Sequence, residues 1–370
     1  MKYRVFSAVL GAVLAAASLS ACSDHNTSDY EETTTAPTEE TVSETEVTTE
    51  AETTEPVKNN DKKKNSSAHK NSPSEEAVLN RQTILFTMDN GDYVYSAFVN
   101  ETDGLKEVYV RDSRKGKAEE LKLPESSLVM YSDGEKLYYY SPNEGLCEYD
   151  DGKSSLISKE TKSEDEIPLR ESFYFTEDTI YFAVSNDNGT EIKSVDYSGK
   201  LSDEVYTTEH RNAKIVGTYD DKLVCSYSIG TNEYICIFDG KKAPTEQKTG
   251  TYPFISDDTI YFIDFNKLSC MSLDGGEAET VVDDKCTDYC FYNGKLIYTD
   301  GTAVFEADGK GSGSPLFEAK DLNKCDYISN ISVSGGKLFV CGGSTAYWKC
   351  ISETDENGKL TEEVYAGVER

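Results

Sequence analysis

The chain has 370 residues, of which 28% are charged and only 37% hydrophobic, and its formal net charge is −31. So low an apolar content excludes a chain that folds throughout, and so large an acidic excess excludes a nucleic-acid partner, because phosphates are repelled and no basic stripe offsets the repulsion. Twenty-five Tyr and 26 Gly against a single Trp point to strands and tight turns.

Residues 1–21 read as an export signal. Lys2 and Arg4 form a short positive start, Val5 to Ser18 is uncharged and rich in Ala, Val and Leu, and small residues follow. A membrane-spanning helix is the competing reading, but the run up to Ala21 is short and rich in Ala, Ser and Gly. Leu19-Ser20-Ala21-Cys22 then resembles the lipobox of bacterial lipoproteins. The resemblance implies that the Cys22 thiol takes a diacylglyceryl group and becomes the mature N-terminus. Two acyl chains anchor stably where one is marginal, so the expected partner is a membrane, held from outside the cytoplasm.

Residues 22–79 read as the lipidated cysteine and a stalk. Positions 23–57 hold eleven Thr and eleven Asp or Glu with no Lys or Arg, and a basic polar stretch with Asp61-Lys62-Lys63-Lys64-Asn65 follows. No apolar period runs through it, so burial cannot offset chain entropy, and the segment is expected to be disordered. Its like charges extend it. At full stretch its roughly 55 residues reach about 180 Å. That reach suits projection through a Gram-positive wall to the extracellular face, with a periplasmic setting as the alternative.

From residue 80 to 370 one phrase recurs: a tight turn followed by an apolar pair or triple. It begins at Tyr93, Leu137, Ile180, Leu223, Ile260, Leu296 and Leu338, at intervals of 36 to 44 residues. Before each stands another apolar run, such as Ile84-Leu85-Phe86 or Phe173-Tyr174-Phe175. After each come a third strand, a turn with Gly116, Gly152, Gly199, Gly240, Gly275, Gly309 or Gly358, and a more polar fourth strand. Four antiparallel strands in about 40 residues make one propeller blade. The fold class is therefore all-β: a β-propeller of seven four-stranded blades, with six or eight as alternatives, behind a disordered stalk. Glu76 to Asn80 could add an edge strand. Thr259-Ile260-Tyr261-Phe262-Ile263-Asp264 and Leu296-Ile297-Tyr298-Thr299-Asp300 resemble the YWTD repeat of low-density-lipoprotein-receptor-like propellers. The repeats depart from it in lacking the Trp, and seven units stand where that family has six, so no ligand residue carries over.

Ten cysteines are present. Cys225 and Cys236 flank a hairpin with its turn at Gly230-Thr231, a register that sets them opposite each other as candidates for a cross-strand disulfide. Cys341 and Cys350 occupy similar places in the seventh repeat. Buried free thiols are the other reading. His25 and His69 fall in the stalk, which leaves His210 alone in the repeats, against a histidine triad or a multi-histidine metal centre. Cys286-x-x-x-Cys290 lacks a second pair for zinc. No catalytic residue, metal or cofactor is assigned. Turns between second and third strands share a face with the connections between blades. That face carries Glu101, Asp103, Glu144, Asp187, Asp264 and Asp300, together with the insertion from Ser158 to Arg170. Such an acidic rim attracts cationic ligands.

The architecture without a catalytic set suggests a non-enzymatic, monomeric binding module for a protein, peptide or wall glycan. A carboxylate enzyme acting on polysaccharide at the propeller channel and a structural partner in an envelope assembly are the alternatives.

Overall fold

The computed structural model describes residues 74–102, 104–162, 168–220, 222–238, 245–309, 311–355 and 359–368. The expected lipobox Leu19-Ser20-Ala21-Cys22, the stalk to residue 73, and Asp103 lie outside them.

Among the described residues twenty-eight strands form seven four-stranded antiparallel sheets, each a meander of consecutive strands. The blades span 85–120, 128–158, 173–208, 214–249, 251–282, 288–318 and 327–365. All seven recurring apolar phrases lie in the second strand of a blade, as in Leu137–Ser141, Thr259–Asp264 and Lys295–Thr299. The second strand of blade 2 is buried at every position. A strand covered on both faces reads as an unbroken apolar run, as Leu137-Tyr138-Tyr139-Tyr140 does. Fourth strands end each blade with exposed polar residues, Glu119–Glu120 in blade 1 among them, so the outer edges carry charge that discourages pairing with another chain.

Seven apolar clusters lie between the blades, each drawn from two consecutive sheets. The last joins Phe339, Cys341 and Ile351 of blade 7 to Leu85, Tyr93 and Tyr95 of blade 1. Seven sheets with seven interfaces make a closed ring. No strand is exchanged at the seam, since blades 1 and 7 are each built from one continuous segment. Polar contacts add to closure there. Tyr93 donates to Glu353 at 2.7 Å and accepts from Arg114 and Lys337, and Glu353 also pairs with Lys337 at 3.1 Å.

Glu75–Asn80 departs from expectation. It is a six-residue helix, α1, and not an edge strand on the rim. The Ser74 side chain caps it by accepting the Ala77 N–H at 3.1 Å. The helix touches the first, innermost strands of blades 2, 3, 5 and 7, so it occupies the ring axis. Ala77 and Leu79 pack on clusters between blades 5 and 6 and between blades 2 and 3, which a rim strand could not reach. The described residues begin at Ser74, and α1 lies within the ring.

Candidate binding face

In a four-stranded meander the turn between strands two and three lies at the end where the chain enters strand one. Glu101, Glu144, Asp187, Asp264 and Asp300 all sit at that end, each on the two-three turn of a different blade. They share a face but do not converge. Glu101 pairs with its neighbour Lys106 at 3.4 Å. Asp300 closes its own turn, accepting from Thr302 N at 2.6 Å, Ala303 N at 2.8 Å and Thr302 Oγ1 at 2.8 Å. Burial opposes ionisation of Asp300, but those hydrogen bonds outweigh it and hold the carboxyl below its ordinary value. Among the described residues no three His, Cys, Asp or Glu side chains gather so as to hold a metal ion. Among the described residues the rim is a dispersed field of charge. Asp187-Asn188 is the turn between Thr179–Asn186 and Gly189–Asp196.

What the acidic reading missed is the apolar content of the same face. Phe265 is 86% exposed and Tyr252 59% exposed, both in blade 5. Phe265-Asn266 is the two-residue turn between Thr259–Asp264 and Lys267–Ser272, with φ of 47° and 64°. Such a turn calls for Asn-Gly, because a side chain in left-handed backbone crowds its own carbonyl. Here a Phe holds the strained position while almost all of its ring faces water. Tyr252 repeats the pattern with φ of 54° in an irregularity that separates the Thr251 and Phe254 pairings. Its carbonyl turns inward to accept from Tyr289 Oη at 2.8 Å and Arg81 Nη1 at 3.4 Å, and its ring points out. Ile229, Tyr327 and Trp348 are exposed at the same end of blades 4 and 7. The signal in the sequence was the aromatic standing where a hairpin should have Asn-Gly.

Beneath this face the axis is sealed. Arg81, just after α1, stacks on the rings of Tyr289 and Phe254 at 4.5 and 5.1 Å from their centroids, and pairs with Asp288 at 3.6 Å. Burial pushes the Asp288 carboxyl up; Arg81 and the N–H groups of Ile331 and Tyr289 pull it back. Asn80 binds Phe175 as a strand would, donating to its carbonyl at 2.6 Å and accepting its N–H at 2.7 Å. Arg170, at the end of the 158–170 insertion, turns inward and donates to the carbonyls of Gln82 at 2.6 Å and Val129 at 2.8 Å. That insertion ends as an internal tie and not as rim charge. A shallow recess of about 10 Å³ remains beside the helix, between Val78, Arg81, Phe254, Cys290, Phe291 and Val333.

The hairpin around Gly230-Thr231 has the expected register, with Cys225 directly opposite Cys236, both as buried free thiols. Repeat 7 differs. Cys341 faces Ile351, and Cys350 faces Gly342. Alternation along the strands sends Cys341 to the seam with blade 1 and Cys350 to the interface with blade 6.

No family model matches this chain, and no curated protein does. Solved structures similar to it include an acylaminoacyl peptidase of Pyrococcus horikoshii, at 13% identity and a TM-score of 0.49, over 78% of this chain and 53% of that one. The chain thus spans about half of the peptidase. The computationally designed Ika8 protein is similar at 13% identity and 0.49, over 80% and 90%. A quinonprotein alcohol dehydrogenase-like protein of Bacteroides thetaiotaomicron is similar at 11% and 0.45, over 75% and 82%.

Proposed function

We propose that this chain is a lipid-anchored binding module outside the cytoplasm, and that its ligand seats on the face bearing Phe265 and Tyr252. The observation that carries the reading is Phe265: a bulky residue kept in left-handed backbone costs stability, and its exposed ring returns none of it by burial. Strain of this kind persists where a contact made outside the folded chain gives it a use. Exposed aromatic rings act as anchors in protein recognition, and the carboxylates around them add long-range attraction for positive charge. A polypeptide with basic side chains fits that combination better than a neutral wall glycan. A carboxylate enzyme working in the channel gains no support from an axis filled by α1.

Anchoring rests on Leu19-Ser20-Ala21-Cys22 and the export run before it. Export also exposes the thiols to oxidising surroundings, which supports a disulfide between Cys225 and Cys236. The test is immobilised full chain challenged with secreted proteins, basic peptides and wall glycans. A saturable polypeptide ligand should be captured by the wild type and lost by Phe265→Asn and Tyr252→Ala. Capture of no ligand, or equal capture by both variants, sinks the reading.

A further inference from the structure

We propose that Cys325 and Cys350 form a disulfide that staples the connection entering blade 7 to the third strand of that blade. Cys325 lies just before the first strand Tyr327–Ser334, and Cys350 begins the third strand Cys350–Thr354. Both are buried as free thiols, in the cluster between blades 6 and 7. The second strand runs between them, and the residue it sets opposite Cys350 is Gly342. A Cβ on Gly342 would lie 3.3 Å from Cys325 Sγ and 2.2 Å from the Tyr327 carbonyl. The missing side chain is what lets the Cys325 sulfur reach across that strand. Cys341, nearer in sequence, has its side chain on the other face and faces Ile351, so it is not the partner.

The position has structural sense. Blade 7 closes the ring without strand exchange, so its hold on blade 6 and blade 1 rests on packing and side-chain contacts. The same corner gathers the end of the described chain, since Cys350 Sγ lies 3.2 Å from the Lys324 carbonyl and 3.8 Å from that of Ala366, and Trp348 N donates to Val368 O. A bond here restricts the unfolded chain and ties the connection entering blade 7 to the third strand beside the described chain end.

The oxidant is a low-molecular-weight or enzyme-borne disulfide met during folding, before blade 7 buries both thiols. One Cys thiolate attacks a sulfur of that disulfide and expels one thiolate. The second Cys loses its proton, attacks the mixed disulfide and expels the other. Two electrons pass to the oxidant, and the two protons end on the two released thiols. The inference leans on the export reading for its oxidising surroundings, so the redox poise is set in the tube and localisation is measured separately.

The experiment folds the full chain in a glutathione and glutathione-disulfide buffer, alkylates free thiols in denaturant, and maps an unreduced digest by mass spectrometry. A peptide pair joining Cys325 to Cys350, lighter by two hydrogens than the sum of its parts and still formed in Cys341→Ser, supports the staple. Alkylated Cys350 in the folded wild type, or Cys350 joined to Cys341 or any other thiol, overturns it. The wild-type map decides the matter even where Cys325→Ser fails to fold.

Discussion

Replacing Phe265 with Asn should make the propeller more stable and the module a poorer binder. A side chain in left-handed backbone costs about 1–2 kcal/mol, and Asn tolerates that region better than Phe. The exchange gives the turn Asn-Asn, with both residues at positive φ as a type I′ hairpin requires. Phe265 is 86% exposed, so truncating it forfeits little buried area. The balance favours the variant by about 1 kcal/mol. In thermal unfolding this corresponds to a rise of roughly 2 °C. Urea titration of both proteins, followed by far-ultraviolet circular dichroism, reads the same difference as a higher midpoint at unchanged slope. A lower midpoint for Phe265→Asn would refute the reasoning, since it would mean that the ring packs on the fold and is not held out for a ligand.

Three further outcomes are expected. Arg81→Ala leaves Asp288 buried without its cation and should cost about 3 kcal/mol in urea unfolding, with part of the loss recovered in the Arg81→Leu/Asp288→Asn double variant. An unchanged midpoint for Arg81→Ala would show that α1 does not depend on this pair. At the ring seam, burial opposes ionisation of Glu353, but hydrogen bonds from Tyr93 and Lys337 hold its carboxyl below 4.5. A folded value below the unfolded one adds stability that is present above pH 4.5 and is lost as pH falls through the folded value. Glu353→Gln should therefore be less stable than wild type at neutral pH and differ from it less in acid, as urea midpoints across that range will read. Cys22→Ser should move the chain from the membrane fraction to the soluble one in cell fractionation; retention in the membrane would count against lipid anchoring.

Blade number was legible because the second strands are the most deeply covered, which forces apolar runs such as Leu137-Tyr138-Tyr139-Tyr140, though in blade 3 only Ile180 and Phe182 of that strand are buried. The hairpin at Gly230-Thr231 was legible for a local reason, since a two-residue turn sets its own register. Repeat 7 shows where such reasoning stops. Its second strand is linked to the third not by a two-residue turn but by a longer loop through Ser344 to Lys349, so no turn rule gave the register at Cys350. α1 was hidden for a different reason. Six residues are too few for a helical period to emerge, and what holds them is tertiary: Asn80 reaches Phe175, and Arg81 reaches Asp288 and Tyr289, across gaps of 95 to 208 residues.

The acidic residues and the exposed aromatics of the entry face teach complementary lessons. The carboxylates were easy to find in a chain of net charge −31, and for that reason their presence discriminated little. Asp300 is occupied in capping its own turn, and Glu101 is paired with Lys106. Phe265 carries more information because local physics argues against it twice, once through its φ and once through its exposure. A residue that contradicts both turn chemistry and burial is what the proposed binding face rests on. α1 lies at the centre of the ring, and of the exposed large apolar side chains among the described residues the two most exposed, Phe265 and Tyr252, are both in blade 5.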